Sequence, residues 1–357
     1  MKMKTTKVYL VLLYIVCLGS FSQRTFAQEQ AQNPGSFTYK VIHPENQRSN
    51  AGYFDLRMTP DKKQTLQIEI NNPSDKEEVT VGVSLNSTKT NANGVLEYGP
   101  SLLQKDPSLK NDLADIAKVA ESITLKPREK KNLDIDITMP KASYDGFISG
   151  GIQLKRQLSE AEKKEREKKS GIQNEYAFII GVLLTETDTK VEANLEFNKF
   201  YAELSNYRNA VFASISNINP AYVDDMTIDM QVMKKGSTEV LYDTKKTTMQ
   251  MAPNSVINFP LIMNGDEMVP GEYTGHVLVT SKEKKWEWTK DFTISKEEAD
   301  KYNKQDVSIT QERGIDWKLI ALIVGGILIV LVIIFLVVRT VNNQTTAKKR
   351  KTSKKKK

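Results

Sequence analysis

Apolar and polar side chains alternate from Leu66 to Ile70, break at Asn71-Asn72-Pro73-Ser74, and alternate again from Val79 to Leu85. A period of two, cut by Asn/Pro/Ser clusters, predicts half-buried antiparallel strands joined by turns. Further strands are expected at Ser122 to Leu125, Leu133 to Ile137, Gly146 to Leu154 and Tyr176 to Leu184. The second half repeats the plan: Val211 to Ile215 alternates, Asn217-Ile218-Asn219-Pro220 turns, and Met226 to Met233 alternates. Late in each half a tyrosine precedes an apolar strand, Tyr144-Asp145-Gly146 in the first and Pro270-Gly271-Glu272-Tyr273 before His276 to Thr280 in the second. A tyrosine there suits a corner in which its hydroxyl ties the strand to an upstream backbone group. The expected fold class is all-β, with two immunoglobulin-like β-sandwich domains in tandem.

Two segments break the alternation. Between Gly94 and Glu121, Asp106-Pro107 has the form of a helix start, and Leu109, Leu113, Ile116 and Ala120 recur at helical spacing, so a short helix or helical loop is expected. Ser159 to Ser170 is almost entirely Glu, Lys and Arg between two apolar strands, which predicts an exposed loop or hairpin tip, either solvated or contacting a partner. The division between domains is placed near Thr185 to Lys190.

The ends carry longer apolar runs. Lys2, Lys4 and Lys7 precede the short apolar stretch Val8 to Leu18, and Thr25-Phe26-Ala27 closes it, the plan of a secretory signal peptide over residues 1–27. Cys17 is the only cysteine and lies inside that stretch, behind Tyr14-Ile15-Val16 rather than the small residues of a lipidation site. Removal of residues 1–27 leaves no thiol, which excludes disulfides and thiolate chemistry. Leu319 to Val338 is an uncharged run rich in Ile, Leu and Val, about the 20 residues a helix needs to span the bilayer core. A transmembrane helix is expected at 317–338, with Gly325 and Gly326 as ordinary small residues. The tail 339–357 holds Lys348-Lys349-Arg350-Lys351 and Lys354 to Lys357 and no acid, which places it in the cytoplasm and the rest outside.

Charge takes on a different meaning once the ends are set apart. The chain totals +7, but residues 1–27 contribute four positive charges and 339–357 nine, so the part between them carries a net charge of −6. A mildly acidic exterior argues against nucleic-acid binding.

Catalytic chemistry finds little to work with. His43 and His276, the only histidines, lie in different halves, and no third partner completes a triad or a zinc site. Asp224-Asp225 is a carboxylate pair expected in a turn. No cofactor or metal is expected, and the chain reads as a non-enzyme. Aromatic residues are the better lead. Trp286, Trp288, Phe292 and Ile294 share the parity of one strand and face either a sugar or the core; Tyr39, Tyr53, Phe54 and Tyr98 lie near turns and are candidates for contact with a glycan or peptide.

The ordered motifs Phe37-Thr38-Tyr39-Lys40-Val41, His43-Pro44-Glu45-Asn46-Gln47, Gly52-Tyr53-Phe54-Asp55-Leu56, Gly150-Gly151-Ile152, Met249-Gln250-Met251-Ala252-Pro253-Asn254-Ser255 and Trp286-Glu287-Trp288 resemble those of the WxL-interacting proteins of Gram-positive bacteria. Trp286-Glu287-Trp288 is itself no Trp-x-Leu motif. The resemblance implies a peptidoglycan-binding domain at 34–188, a host- or protein-binding domain at 189–299, and partnership with WxL-domain surface proteins. The resulting expectation is a non-catalytic single-pass cell-membrane protein with an extracellular N-terminal region, whose partners are peptidoglycan, WxL-domain proteins and a host extracellular protein. The alternative is a structural stalk or adhesin whose sandwiches only hold a partner away from the membrane.

Overall fold

The computed structural model describes residues 36–309, apart from 283, together with 320–336 and 339. The expected signal peptide, all but the first residue of the basic tail, and 317–319 and 337–338 of the expected membrane span lie outside the described residues. Among the described residues no helix is long and apolar enough to cross a membrane. Residues 320–336 are helical, and their large apolar side chains are exposed.

Everything else is predominantly β. One sheet runs β1 (Thr38–Ile42), β3 (Lys63–Asn71), β9 (Lys130–Thr138), β7 (Ala117–Val119). It faces a five-stranded sheet of β2 (Phe54–Arg57), β11 (Ala177–Thr185), β10 (Ile148–Arg156), β4 (Val79–Ser87) and β8 (Ser122–Leu125), in which only the β2–β11 pair is parallel. Register follows hydrophobicity. Leu66 and Ile68 pair with Ile135 and Leu133, all four buried, while on the other face Gln67 donates to Asp134 at 2.8 Å and Thr65 to Asp136 at 2.6 Å. Burying one such aliphatic side chain stabilises by roughly 1.5–3 kcal/mol, and a slip of one residue would turn the whole row outward.

The second pair of sheets encloses a separate core. Its three-stranded sheet is β12 (Leu195–Ser205), β13 (Arg208–Asn217) and β16 (Ser255–Ile262). The opposing sheet is β15 (Val240–Met251), β14 (Val223–Lys234), β17 (Gly271–Ser281) and β18 (Lys284–Ile294). The strand, Asn-Pro turn, strand parallel between the halves has a physical basis. Asn72 and Asn217, at the exits of β3 and β13, are both fully buried. The Asn72 amide donates to the carbonyls of Glu77, Leu125 and Lys126, and that of Asn217 to Ala221 and Ala252.

Residues 88–112, which include the two-stranded pair β5 (Lys89–Thr90) and β6 (Leu96–Glu97), leave the first sandwich and dock on the second. Thr90 Oγ1 bonds the Ser255 hydroxyl at 2.7 Å and accepts from Ala252 N at 2.9 Å, and Gln250 N donates to Gly94 O at 2.8 Å. The buried Asp106 carboxylate accepts from the Ser216 hydroxyl, and Asn254 donates to Ser108. On the same side Phe147 N donates to Pro220 O at 2.8 Å. The sandwiches are therefore clamped together by contacts independent of the connection at 186–194.

Several expectations need correction. A short helix is present between Gly94 and Glu121 as expected, a single turn over Leu113–Ile116, but Asp112 caps it rather than Asp106. Asp106 caps nothing helical: its carboxylate holds Ser108 N in a local turn and faces Ser216 across the interface. The charged segment is exposed and joins the antiparallel strands β10 and β11, as a hairpin tip should, but it is not irregular. Glu160–Glu167 is helical, opened by a capping box in which Ser159 and Glu162 exchange hydrogen bonds. Tyr273 makes the upstream bond of a tyrosine corner, to Val269 O at 2.7 Å, whereas the Tyr144 hydroxyl reaches downstream to Leu184 O at 3.0 Å. Asp224-Asp225 sits within β14 at a register shift rather than in a turn, with Asp225 at φ 49°.

Candidate functional site

The structure keeps the histidines apart. His43 is exposed beyond β1, and His276 pairs with Glu287 across β17 and β18 at 2.9 Å. Among the described residues no cluster of His, Cys, Asp or Glu could hold a metal ion. Trp286, Trp288 and Phe292 pack against the core of the second sandwich, Trp288 beside Phe197 and Phe292 beside Phe200, so their parity points inward.

The tyrosines divide differently. Phe54 is fully buried, and Tyr39 lies 5.0 Å from the Phe178 ring, packed on the core. Tyr53 and Tyr98 instead enter a cleft of about 720 Å³ that opens between the sandwiches on the outer face of the five-stranded sheet. Adjacent glycines of β10 make this possible. A Cβ on Gly150 would sit 2.4 Å from Leu113 Cδ2, on the core side, and one on Gly151 would sit 2.4 Å from Tyr98 O, on the outer side. The pair thus seats the helical turn on one face and lets the chain around Tyr98 cross the other at backbone contact. Tyr53 stands over Gly181 of the neighbouring strand at ordinary van der Waals distance.

The second sandwich supplies Tyr222, Asp224 and Gln250 to the same cleft. The Tyr222 hydroxyl bonds Ser149 Oγ, which in turn bonds Thr88 Oγ1 at 2.7 Å, and Gln250 Nε2 donates to Asp224 Oδ1 at 2.9 Å. Neither Tyr222 nor Asp224 was singled out from the sequence as an aromatic or polar binding residue. Asp224 stands out in the sequence only as half of a carboxylate pair and Tyr222 not at all, since both reach the cleft only because the sandwiches are clamped.

Burial pushes the Tyr222 phenol well above its usual range, with the neighbouring Tyr98 adding to the shift. Burial also raises Tyr98, partly offset by its hydrogen bond with Tyr222. Elsewhere burial, aided by Glu203 and by Asp266, holds Tyr201 and Tyr242 each up to about 12. A phenol whose pKa is raised on folding stabilises the folded state fully below its unfolded value of about 10 and loses that contribution as pH rises through the folded value. The melting temperature is therefore expected to be insensitive to tyrosine ionisation up to about pH 9 and to fall above about pH 10. Beyond the tyrosinate absorbance of exposed residues such as Tyr176 and Tyr207, a further rise from Tyr201, Tyr222 and Tyr242 should appear together with unfolding; ionisation of these three with the melting temperature unchanged would contradict the burial.

Residues 37–156 match the family model described as WxL Interacting Protein, peptidoglycan binding domain, and residues 167–304 the one described as WxL Interacting Protein, host binding domain. This chain belongs to the WxL-interacting protein family. The second match begins at the end of the charged helix, so it includes β11, which is hydrogen-bonded within the first sandwich to β10 and β2. The cleft draws on both matched regions. No curated relative matches the chain. Solved structures it resembles include the class 5 fimbriae chaperone CfaA, at 9% identity over 71% of this chain and 99% of that one, TM-score 0.27. The E. coli chaperone DraB is similar at 13% identity, over 72% and 98%, TM-score 0.26. The PapD-like domain of human CEP192 is similar at 9%, over 47% and 98%, TM-score 0.26.

Proposed function

We propose that this WxL-interacting protein is a non-catalytic cell-surface binding protein, anchored in the membrane by one helix at 317–338 and built outside it as two immunoglobulin-like sandwiches. The sandwich at 34–188 binds peptidoglycan, and that at 189–299 binds a host extracellular protein or WxL-domain surface proteins. Residues 1–27 direct export, and the basic tail 339–357 stays in the cytoplasm. The observation that carries the reading is the tandem match of one chain to a peptidoglycan-binding and a host-binding family model. The exposed apolar side chains of 320–336 support the anchor.

The full chain, purified in detergent, is expected to sediment with purified cell-wall sacculi at physiological salt. Chain left in the supernatant would remove the wall-binding role and favour the stalk, a reading that draws its own support from the clamp. Release of soluble muropeptides from the sacculi would overturn the non-catalytic assignment.

A further inference from the structure

We propose that the cleft between the sandwiches, walled by Tyr53, Tyr98 and Tyr222, is a subsite for an uncharged N-acetylated glycan strand and is complete only when both sandwiches contribute. The inference rests on the wall-binding reading above and deepens it by assigning the site and the part of the polymer it takes.

Shape is the first argument. The cleft is open along the sheet, and its volume of about 720 Å³ falls within the roughly 300–1,000 Å³ typical of small-ligand sites. Gly52 leaves part of its floor bare, since a Cβ there would meet nothing within 4 Å, whereas Gly181 lets Tyr53 lie against the sheet at ordinary contact distance. A chain can therefore lie at backbone depth between aromatic walls, the arrangement in which C–H faces of sugar rings stack on phenol faces.

Charge is the second. Among the described residues that line the cleft none is Lys, Arg or His, and Asp224 is its one carboxylate. The neighbouring cleft, which shares Tyr222 and Asp224, is lined by Lys190, Lys282 and Lys284, and the groove farther along the first sandwich by Lys155, Arg156 and Lys163. Phosphate-rich polymers and peptide carboxylates would meet the Asp224 carboxylate and no cation among the cleft's own lining residues, whereas hydroxyl and acetamido groups find partners in Asp224, Gln250 and the Tyr222–Ser149 pair.

Joint construction is the third. Tyr53, Tyr98 and Ser149 come from the region that matches the peptidoglycan-binding model, Tyr222, Asp224 and Gln250 from the region that matches the host-binding model.

The test uses the full chain in detergent with two probes, purified sacculi and soluble β-1,4-linked N-acetylglucosamine oligomers. Gly181→Leu drives a side chain into the space that Tyr53 covers and so obstructs the cleft, with the melting curve as the check that the fold is kept, and Tyr98→Ala removes a wall. Tyr207→Ala, an exposed tyrosine in the β12–β13 turn, serves as control. Expected are oligomer binding by the wild type and the control, and a loss of about tenfold or more in both cleft variants. Wild-type affinity in Gly181→Leu, with an unchanged melting curve, would overturn the proposal, as would competition by stem peptides but not by oligomers. Sacculi left unbound while the oligomer still binds in a Gly181→Leu-sensitive way would sink the wall-binding reading alone and uphold the cleft.

Discussion

Replacing Gly146 by valine is expected to prise the two sandwiches apart. Gly146 has φ +88°, in the left-handed region, and a Cβ there would lie 2.3 Å from the carbonyl oxygen of Pro220 and 3.0 Å from its Cγ. Valine would thus meet two costs at once, a left-handed backbone for a β-branched residue and a collision with backbone across the interface. Neither is relieved by turning a side chain. The adjacent Phe147 N–Pro220 O hydrogen bond should go with it. We expect a loss of at least about 3 kcal/mol in interface stability and a scattering profile that no longer fits one fixed arrangement of the sandwiches. Gly236→Val separates the two costs, because Gly236 has φ +79° with nothing within 4 Å of its Cβ position. It should destabilise locally and leave the arrangement intact. A Gly146→Val protein that scatters like the wild type would show that the interface seen here does not hold the sandwiches.

Asn72→Ala is expected to be the most damaging substitution of a polar residue in the first sandwich. Its amide donates to three backbone carbonyls, at 2.8, 3.0 and 3.2 Å, and its carbonyl accepts from Ser74 N at 3.0 Å, all at a fully buried site. Alanine removes a hydrogen bond from each of those groups, of which Lys126 O keeps its bond from Glu129 N, and each group left unpaired where water cannot reach costs about 1–3 kcal/mol. A total of roughly 3 kcal/mol or more is expected in denaturant unfolding of the first sandwich. Asn72→Asp should be no rescue, since a carboxylate has no N–H to give. Unfolding midpoints equal to the wild type for both variants would refute the bracing role.

How much of this was legible in the sequence depended on how local each signal was. β3, β4, β9, β14 and β17 present one face to a core and a wetter face outward, so their alternation shows in the residue order, whereas β13 is buried on both faces. β15 went unseen because it is an edge strand wet on both faces over most of its length, and Thr244-Lys245-Lys246-Thr247-Thr248 has no apolar row to detect. The helix at 160–167 buries no residue, so its one signal was Ser159-x-x-Glu162, a capping box easily lost in a charge run. Asp106-Pro107 misled for the opposite reason. Its local pattern suits a helix start, but the carboxylate is used by Ser216, 110 residues away.

The cleft was half legible. Tyr53 and Tyr98 were candidates by residue type, but Tyr39 and Phe54 looked equivalent to them, and only the packing against Phe178 and the core separates the pairs. Tyr222 and Asp224 are brought in by the clamp, a long-range arrangement that no window of sequence contains. The glycine pair at 150 and 151 is visible as a motif; that its two members each make room for a different neighbour, on opposite sides of the sheet, is a property of the fold.

The docking of residues 88–112 has a mechanical corollary. Tension applied between the far ends of the molecule would not be carried by the strand exit at 186–194 alone, but in parallel through the Thr90, Gly94 and Asp106 contacts to β13, β15 and β16. Bonds loaded side by side share a force that bonds in series must each bear in full. The joint between the modules is therefore expected to resist extension more than its connecting segment alone would.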